Sequence, residues 1–170
     1  MRRLLLTALG LGLLSAGGCR IEDYTPTGSR RDEEAIQALV NRYALDLSNR
    51  NWNDVRGLFW RDASYSGPMV PRSVGRAVPI DSALAVLARR VEGSDQTAFD
   101  VRVLRTDFRQ ESDLAAVWVI ARRRVPLPGA AGAAERDWVE HLVLRRIGGS
   151  WRILSVAGAS APRGASRDHR

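Results

Sequence analysis

Few residues in this 170-residue chain have the type and spacing for chemistry, and they are scattered. The single cysteine, Cys19, cannot form an internal disulfide, and no second soft ligand stands beside it for a metal. Of the two histidines, His169 falls in a polar end segment, which leaves His141. Zinc sites draw on several His or Cys ligands, so no metal is expected, and no motif asks for a cofactor. All 26 basic residues are arginine, which excludes Schiff-base chemistry and lysine general bases. No Gly-x-Ser-x-Gly sets up a serine nucleophile. The one remaining candidate by side-chain chemistry is His141. An imidazole at His141 could act as a base near neutral pH. Glu140 precedes it, but strand neighbours point to opposite faces, so the two cannot both serve one site. Tyr43 sits between Val40 and Leu47 on an apolar helical stripe, as a hydrogen-bond donor or as a core residue. With Trp60, Tyr65 and His141 it is expected to line a ligand pocket.

The residues around Cys19 explain it better than chemistry does. Arg2 and Arg3 precede an apolar run from Leu4 to Leu14, then Ala16-Gly17-Gly18 lead to the cysteine. That is the charged, apolar, small-residue order of an export signal. The run is too short to cross a bilayer, which needs roughly 20 apolar residues. Small residues directly before a cysteine resemble the lipobox of bacterial lipoproteins. The resemblance implies cleavage after residue 18 and lipidation of Cys19. Acyl chains would hold the protein to a bacterial cell membrane or outer membrane, since each buried CH₂ contributes about 0.8 kcal/mol. Residues 19–30 are turn-rich and aperiodic, a flexible tether. Residues 161–170 read as a disordered tail. Between them, 31–160 has the length of one domain with a real core. The net charge of +7 falls by the two charges of Arg2 and Arg3 once the signal leaves. An exported, membrane-held protein rarely meets nucleic acid, so no such partner is expected.

The elements that must position these residues follow from periodicity. Ser29 followed by Asp32 resembles a capping box, and Ile36, Leu39, Val40, Tyr43 and Leu47 make one helical stripe. "SNRNWNDVRGLFW" breaks and restarts as a short second helix with Val55, Leu58 and Phe59 inward; "DASYSG" reads as a brief strand. Ile80, Leu84, Leu87, Ala88 and Val91 share a face of a third helix that Gly93 stops. Four strand-like runs follow: FDVRVLRTDF, LAAVWVIARRRV, WVEHLVLRRI and SWRILSVAGA. Gly148-Gly149 joins the last two as a tight hairpin. Helices first and long antiparallel strands after is an α+β layout, with three N-terminal helices on a strongly curved, mainly antiparallel sheet. LAAVWVIA is apolar on both faces. Leu114, Ala116, Trp118 and Ile120 form one set and Ala115, Val117, Val119 and Ala121 the other; one can face the helices, and the other, left exposed, predicts a homodimer.

This order, with "LFWRDASY" and "GGSWRILSV", resembles the nuclear transport factor 2-like superfamily, which includes SnoaL-like polyketide cyclases and ketosteroid isomerase. The resemblance spans about Asp32 to Ala159 and implies a cone with a pocket at its open end. In ketosteroid isomerase a helix-one Tyr donates to a developing oxyanion, an Asp after the first strand moves the proton, and a protonated late-strand acid assists. The resemblance implies Tyr43 at the Tyr position. It implies Gly67 at the base position, where no proton can be accepted. The late acid maps near His141 to Val143, where no carboxylate stands. The expected function is therefore binding of a small apolar ligand or envelope partner without catalysis. Two alternatives stay open: a cyclase, isomerase or hydrolase using Tyr43 and His141, and a dimeric scaffold in the cell envelope.

Overall fold

Helix α1 (Arg30–Ser48) starts where the chain supplies a cap and acidic charge together. The Ser29 hydroxyl accepts from the Asp32 amide at 3.2 Å and donates to the Asp32 carboxylate at 2.8 Å. This computed structural model describes residues 29–70, 76–127 and 132–161. The signal, Cys19, nearly all of the tether and residues 162–170 lie outside the described residues. Along α1, Ile36, Val40, Tyr43, Ala44 and Leu47 are buried, one stripe at helical spacing. The turn after it places Arg50 in the left-handed region, at φ 59°, which disfavours a side chain. Its guanidinium holds that turn to the end of the third helix. It donates to the carbonyls of Val91 at 3.2 Å and Ser94 at 3.0 Å, and to the Ser94 hydroxyl at 3.1 Å.

Helix α2 (Trp52–Gly57) is short, and α3 (Ile80–Val91) buries Ile80, Ala83, Leu84, Leu87 and Val91. The strands are β1 (Phe59–Ser66), β2 (Val78–Pro79), β3 (Asp100–Glu111), β4 (Leu114–Pro126), β5 (Ala133–Ile147) and β6 (Ser150–Ser160). They form one six-stranded sheet in the order β2-β1-β6-β5-β4-β3. All neighbours are antiparallel except β1 and β6, which run parallel and join the first long strand to the last. The β5–β6 turn uses Gly148 and Gly149 at φ 57° and 79°, the positive pair that a tight hairpin requires. The layout is thus α+β with three helices and a mostly antiparallel sheet.

Two boundaries differ from the sequence reading. Helix α2 stops at Gly57, and Phe59 opens β1, which extends well before "DASYSG". Phe59 still points inward, but from a strand, because pairing with Ile153 on β6 captures its backbone. Strand β2 is two residues long, and two residues carry no period to read.

Alternation along the central strands sends one face to the helices. Ala115, Val117, Val119, Ala121 and Arg123 of β4 are buried there, with Trp138, Glu140, Leu142 and Leu144 of β5. Val117, Leu142, Leu144 and Ile153 are fully buried, in one cluster with Ile36, Val40, Leu47 and Val55 from the helices. Full burial of each large aliphatic contributes about 1.5–3 kcal/mol relative to exposure.

Candidate functional site

Two charged residues stand on the inward face at one end of that core. In the run Arg122-Arg123-Arg124 only the middle residue keeps the phase of Val117, Val119 and Ala121, so Arg123 alone is completely enclosed. Glu140 keeps the phase of Trp138 and Leu142 and is 1 % exposed. Val119 pairs with Glu140 and Ala121 with Trp138. The Arg123 side chain therefore reaches back over the small Ala121. Its Nη2 comes within 2.6 Å of Glu140 Oε1, and its guanidinium carbon stands 5.5 Å from the centre of the Trp138 ring.

Two phenols join the pair. Tyr43 comes from α1, packed edge-on against Phe59 with ring centres 5.8 Å apart, and its hydroxyl meets the Arg123 guanidinium. Tyr65 comes from β1. Burial, reinforced by the Glu140 charge, raises the proton affinity of both phenols well above the ordinary tyrosine value. Both stay protonated at neutral pH and able to donate. Arg123 itself is held protonated. Burial opposes its charge, but Glu140 and the two phenolic oxygens outweigh that cost.

Gly67 makes space for the Tyr65 hydroxyl. A Cβ on Gly67 would stand 2.7 Å from the Tyr65 hydroxyl and 3.0 Å from the Gly158 carbonyl oxygen. The position that the resemblance assigns to a proton-moving Asp is thus filled by the tip of Tyr65. Gly158 pairs with Glu140 across the β5–β6 ladder, and a Cβ there would stand in ordinary contact with that side chain, 3.7 Å from Oε1.

Above this cluster lies a pocket of about 280 Å³. Its walls include Pro68, Leu87, Val125, Pro126 and Ala134, with Met69 and Trp138 nearest the buried charges. Arg123 Nη1 contacts the Met69 sulfur. Arg90 and Arg136 stand at the rim, and Arg90 donates to the Met69 carbonyl at 3.3 Å. Such a chamber can take a small apolar body above a floor of polar groups.

Tyr43 and Tyr65 meet in this cluster, and His141 and Trp60 do not; none of the four is among the residues that line the pocket. His141 faces the other side of the sheet, with its ring centre 4.4 Å from that of the exposed Trp118. Trp60 lines a separate shallow groove with Asp62, Arg145 and Leu154, and Arg61 lies over its ring at 5.6 Å. Sequence reasoning passed over Arg123 and left Glu140 unassigned. The signal for both was the strand phase: an Arg and a Glu at positions that alternate with buried residues. Among the described residues, no three His, Cys, Asp or Glu side chains gather in a way that could hold a metal ion.

Comparison with known proteins shows the family and the fold. The family described as the SnoaL-like domain matches residues 29–157. No curated protein matches the chain. Among solved structures, a ketosteroid isomerase-like protein from Erwinia carotovora atroseptica is similar, with 18% identity and a TM-score of 0.62 over 79% of this chain and 100% of that one. A hexachlorocyclohexane dehydrochlorinase, LinA-type3, from Novosphingobium barchaimii has 12% identity and a TM-score of 0.62, covering 78% of this chain and 88% of that one. An NTF2-like protein with a cystatin-like fold from Novosphingobium aromaticivorans has 19% identity and a TM-score of 0.58, over 79% and 85%. At these identities the likeness is one of fold.

Proposed function

The chain belongs to the SnoaL-like domain family, and from that premise we propose an exported, membrane-anchored lipoprotein whose domain binds a small, largely apolar molecule. One observation carries the binding reading: an apolar-walled pocket of about 280 Å³ standing over a fully buried polar cluster. A side-chain-filled core needs neither the opening nor the charges. Burying Arg123 and Glu140 without a role would be poorly rewarded, since a well-packed apolar pair is often as stable or more so. Native mass spectrometry of the purified protein should show a small molecule bound one to one, lost when Ala134→Trp fills the pocket. A folded protein that carries no adduct and binds nothing from a set of apolar fragments would sink the reading.

A second reading, an isomerase, cyclase or hydrolase, is favoured by Glu140, whose Oε1 has no aligned hydrogen-bond partner. A buried carboxylate beside two protonated phenols could move a proton. In that reading Glu140 rather than His141 is the base, and Glu140→Gln abolishes turnover. Gly67 still argues against the isomerase's own mechanism, because the base it needs cannot be housed there.

The anchoring half of the proposal rests on Arg2, Arg3, the apolar run and the small residues before Cys19. Expressed in a bacterial host, the protein should incorporate labelled palmitate and sediment with membranes, and Cys19→Ala should abolish both. Labelling that persists in the variant rules the anchor out.

A further inference from the structure

The polar atoms beneath the pocket floor do not balance. Arg123 and Glu140 cancel in charge, yet Arg123 Nε and Nη2, Trp138 Nε1 and the Tyr65 hydroxyl all lack an aligned hydrogen-bond partner. Glu140 Oε1 is the one acceptor of the cluster in the same condition. Nη2 and Oε1 are within ion-pair distance of each other at 2.6 Å, but off the directions a hydrogen bond needs. The Met69 amide likewise approaches the Tyr65 hydroxyl without aligning with it. Four buried donor atoms of the cluster, and one buried acceptor already ion-paired with Arg123, thus lack an aligned hydrogen bond. Buried groups of this kind ordinarily find partners, and a cluster of exceptions calls for one from outside the chain.

The protein's own stand-in is poor. Arg123 Nη1 contacts the Met69 thioether, a weak acceptor for a guanidinium. Met69 also lines the pocket, so its sulfur stands between the opening and the buried charges. Methionine is unbranched and adaptable and can swing aside at modest cost.

Charge decides what could replace it. The Arg123–Glu140 pair is neutral as a unit and is enclosed, at 0 % and 1 % exposure. A carboxylate placed there would leave a net negative charge beside Glu140 out of water, and an ammonium a net positive one; both are costly. Arg90 and Arg136 would attract anions to the rim, but Arg136 is solvent-exposed and Arg90 is tied by its bond to the Met69 carbonyl. Their field is screened at the mouth, whereas the floor residues are enclosed. The floor wins.

Resting on the reading that this pocket binds a small molecule, we propose that Met69 is a displaceable plug. The ligand is a small uncharged molecule with a carbonyl oxygen and a neighbouring hydroxyl. The carbonyl takes the thioether's place and accepts from Arg123 and Trp138. The hydroxyl donates to Glu140.

The test uses the full chain carrying Cys19→Ala and three six-membered rings: 2-hydroxycyclohexanone, cyclohexanecarboxylate and methylcyclohexane. Binding is followed by ligand-observed NMR and by the Trp138 indole N–H signal, assigned with Trp138→Phe. The hydroxyketone should bind at least about tenfold tighter than the carboxylate and move the Trp138 signal. Met69→Ala should tighten it severalfold, and Glu140→Gln, which leaves Arg123 unbalanced, should turn the preference toward the carboxylate. A carboxylate that binds the parent as well as the hydroxyketone overturns the proposal, as does a Met69→Ala variant with weakened hydroxyketone binding. Equal binding of all three rings leaves the pocket standing and removes the head-group assignment. Binding of none, to parent or Met69→Ala, takes the pocket reading down as well. Should Glu140→Gln fail to fold, the parent and Met69→Ala comparisons decide.

Discussion

Tyr43 and Tyr65 bury their phenols against the same Arg123–Glu140 pair, yet their hydroxyls are differently placed. The Tyr43 oxygen lies beside the charged Arg123 guanidinium, while the Tyr65 hydroxyl, near the neutral Met69 amide, is enclosed without an aligned partner. A hydrogen bond to a charged group contributes about 1.5–3 kcal/mol, and an unpartnered buried hydroxyl costs about 1–3 kcal/mol. Removing the two oxygens should therefore act in opposite directions. Tyr43→Phe is expected to lower the unfolding free energy by about 2 kcal/mol, and Tyr65→Phe to leave it unchanged or raise it. Urea denaturation of the two variants checks this. Equal losses would mean that Tyr65 has a partner of comparable strength.

Elements are held in place here by a few polar junctions, and Asp32 is the clearest. Its carboxylate sits in the first turn of α1 and accepts from Ser29, from Arg146 of β5 at 2.8 Å and from Trp151 of β6 at 3.2 Å. Arg146 also reaches Asp113 in the β3–β4 turn at 2.8 Å. One helix end and two hairpins thus share a pair of side chains. The Ser29 hydrogen bond, with smaller help from Gln110, Trp151 and Arg146, holds the Asp32 carboxyl below the usual carboxylate range. A depressed folded-state value means that the stabilisation is complete above the unfolded value of about 3.9. It is lost as pH falls through the lower folded value. Asp32→Asn should accordingly melt below the parent at neutral pH. The gap should close as pH drops from about 4 toward 2. A gap that persists unchanged in acid would show that the carboxylate's charge is not what clamps the helix.

At the scale of the molecule, the sheet face turned away from the helices remains to be covered. Trp118 and Leu114 are 53 % and 51 % exposed there, and His141, Val139, Val143 and Leu154 extend the same surface. Exposed ion pairs border it, Arg105–Asp107 at 2.8 Å and Arg122–Asp137 at 2.8 Å, as a polar rim borders an apolar contact. A second copy of the chain would bury Trp118 and its neighbours. Sedimentation of the Cys19→Ala protein should show a dimer, and Trp118→Arg a monomer with unchanged far-ultraviolet circular dichroism. A parent that stays monomeric at high concentration excludes this contact.

Local pattern alone determined the α1 stripe from Ile36 to Leu47, the face of α3, the four long strands and the Gly148-Gly149 hairpin. Each depends on residues a few positions apart. Alternation also established that Glu140 and His141 face opposite ways. It could not say which of them faces inward, because that depends on the side of the sheet on which the helices pack. Only the tertiary structure decided it, and with it the place of Arg123. The parallel pairing of Tyr65 with Val156 and the small residues Gly67 and Ala121 then brought four distant segments around one buried charge pair. A period reports the spacing of side chains along one element; a site is made by the distances between elements.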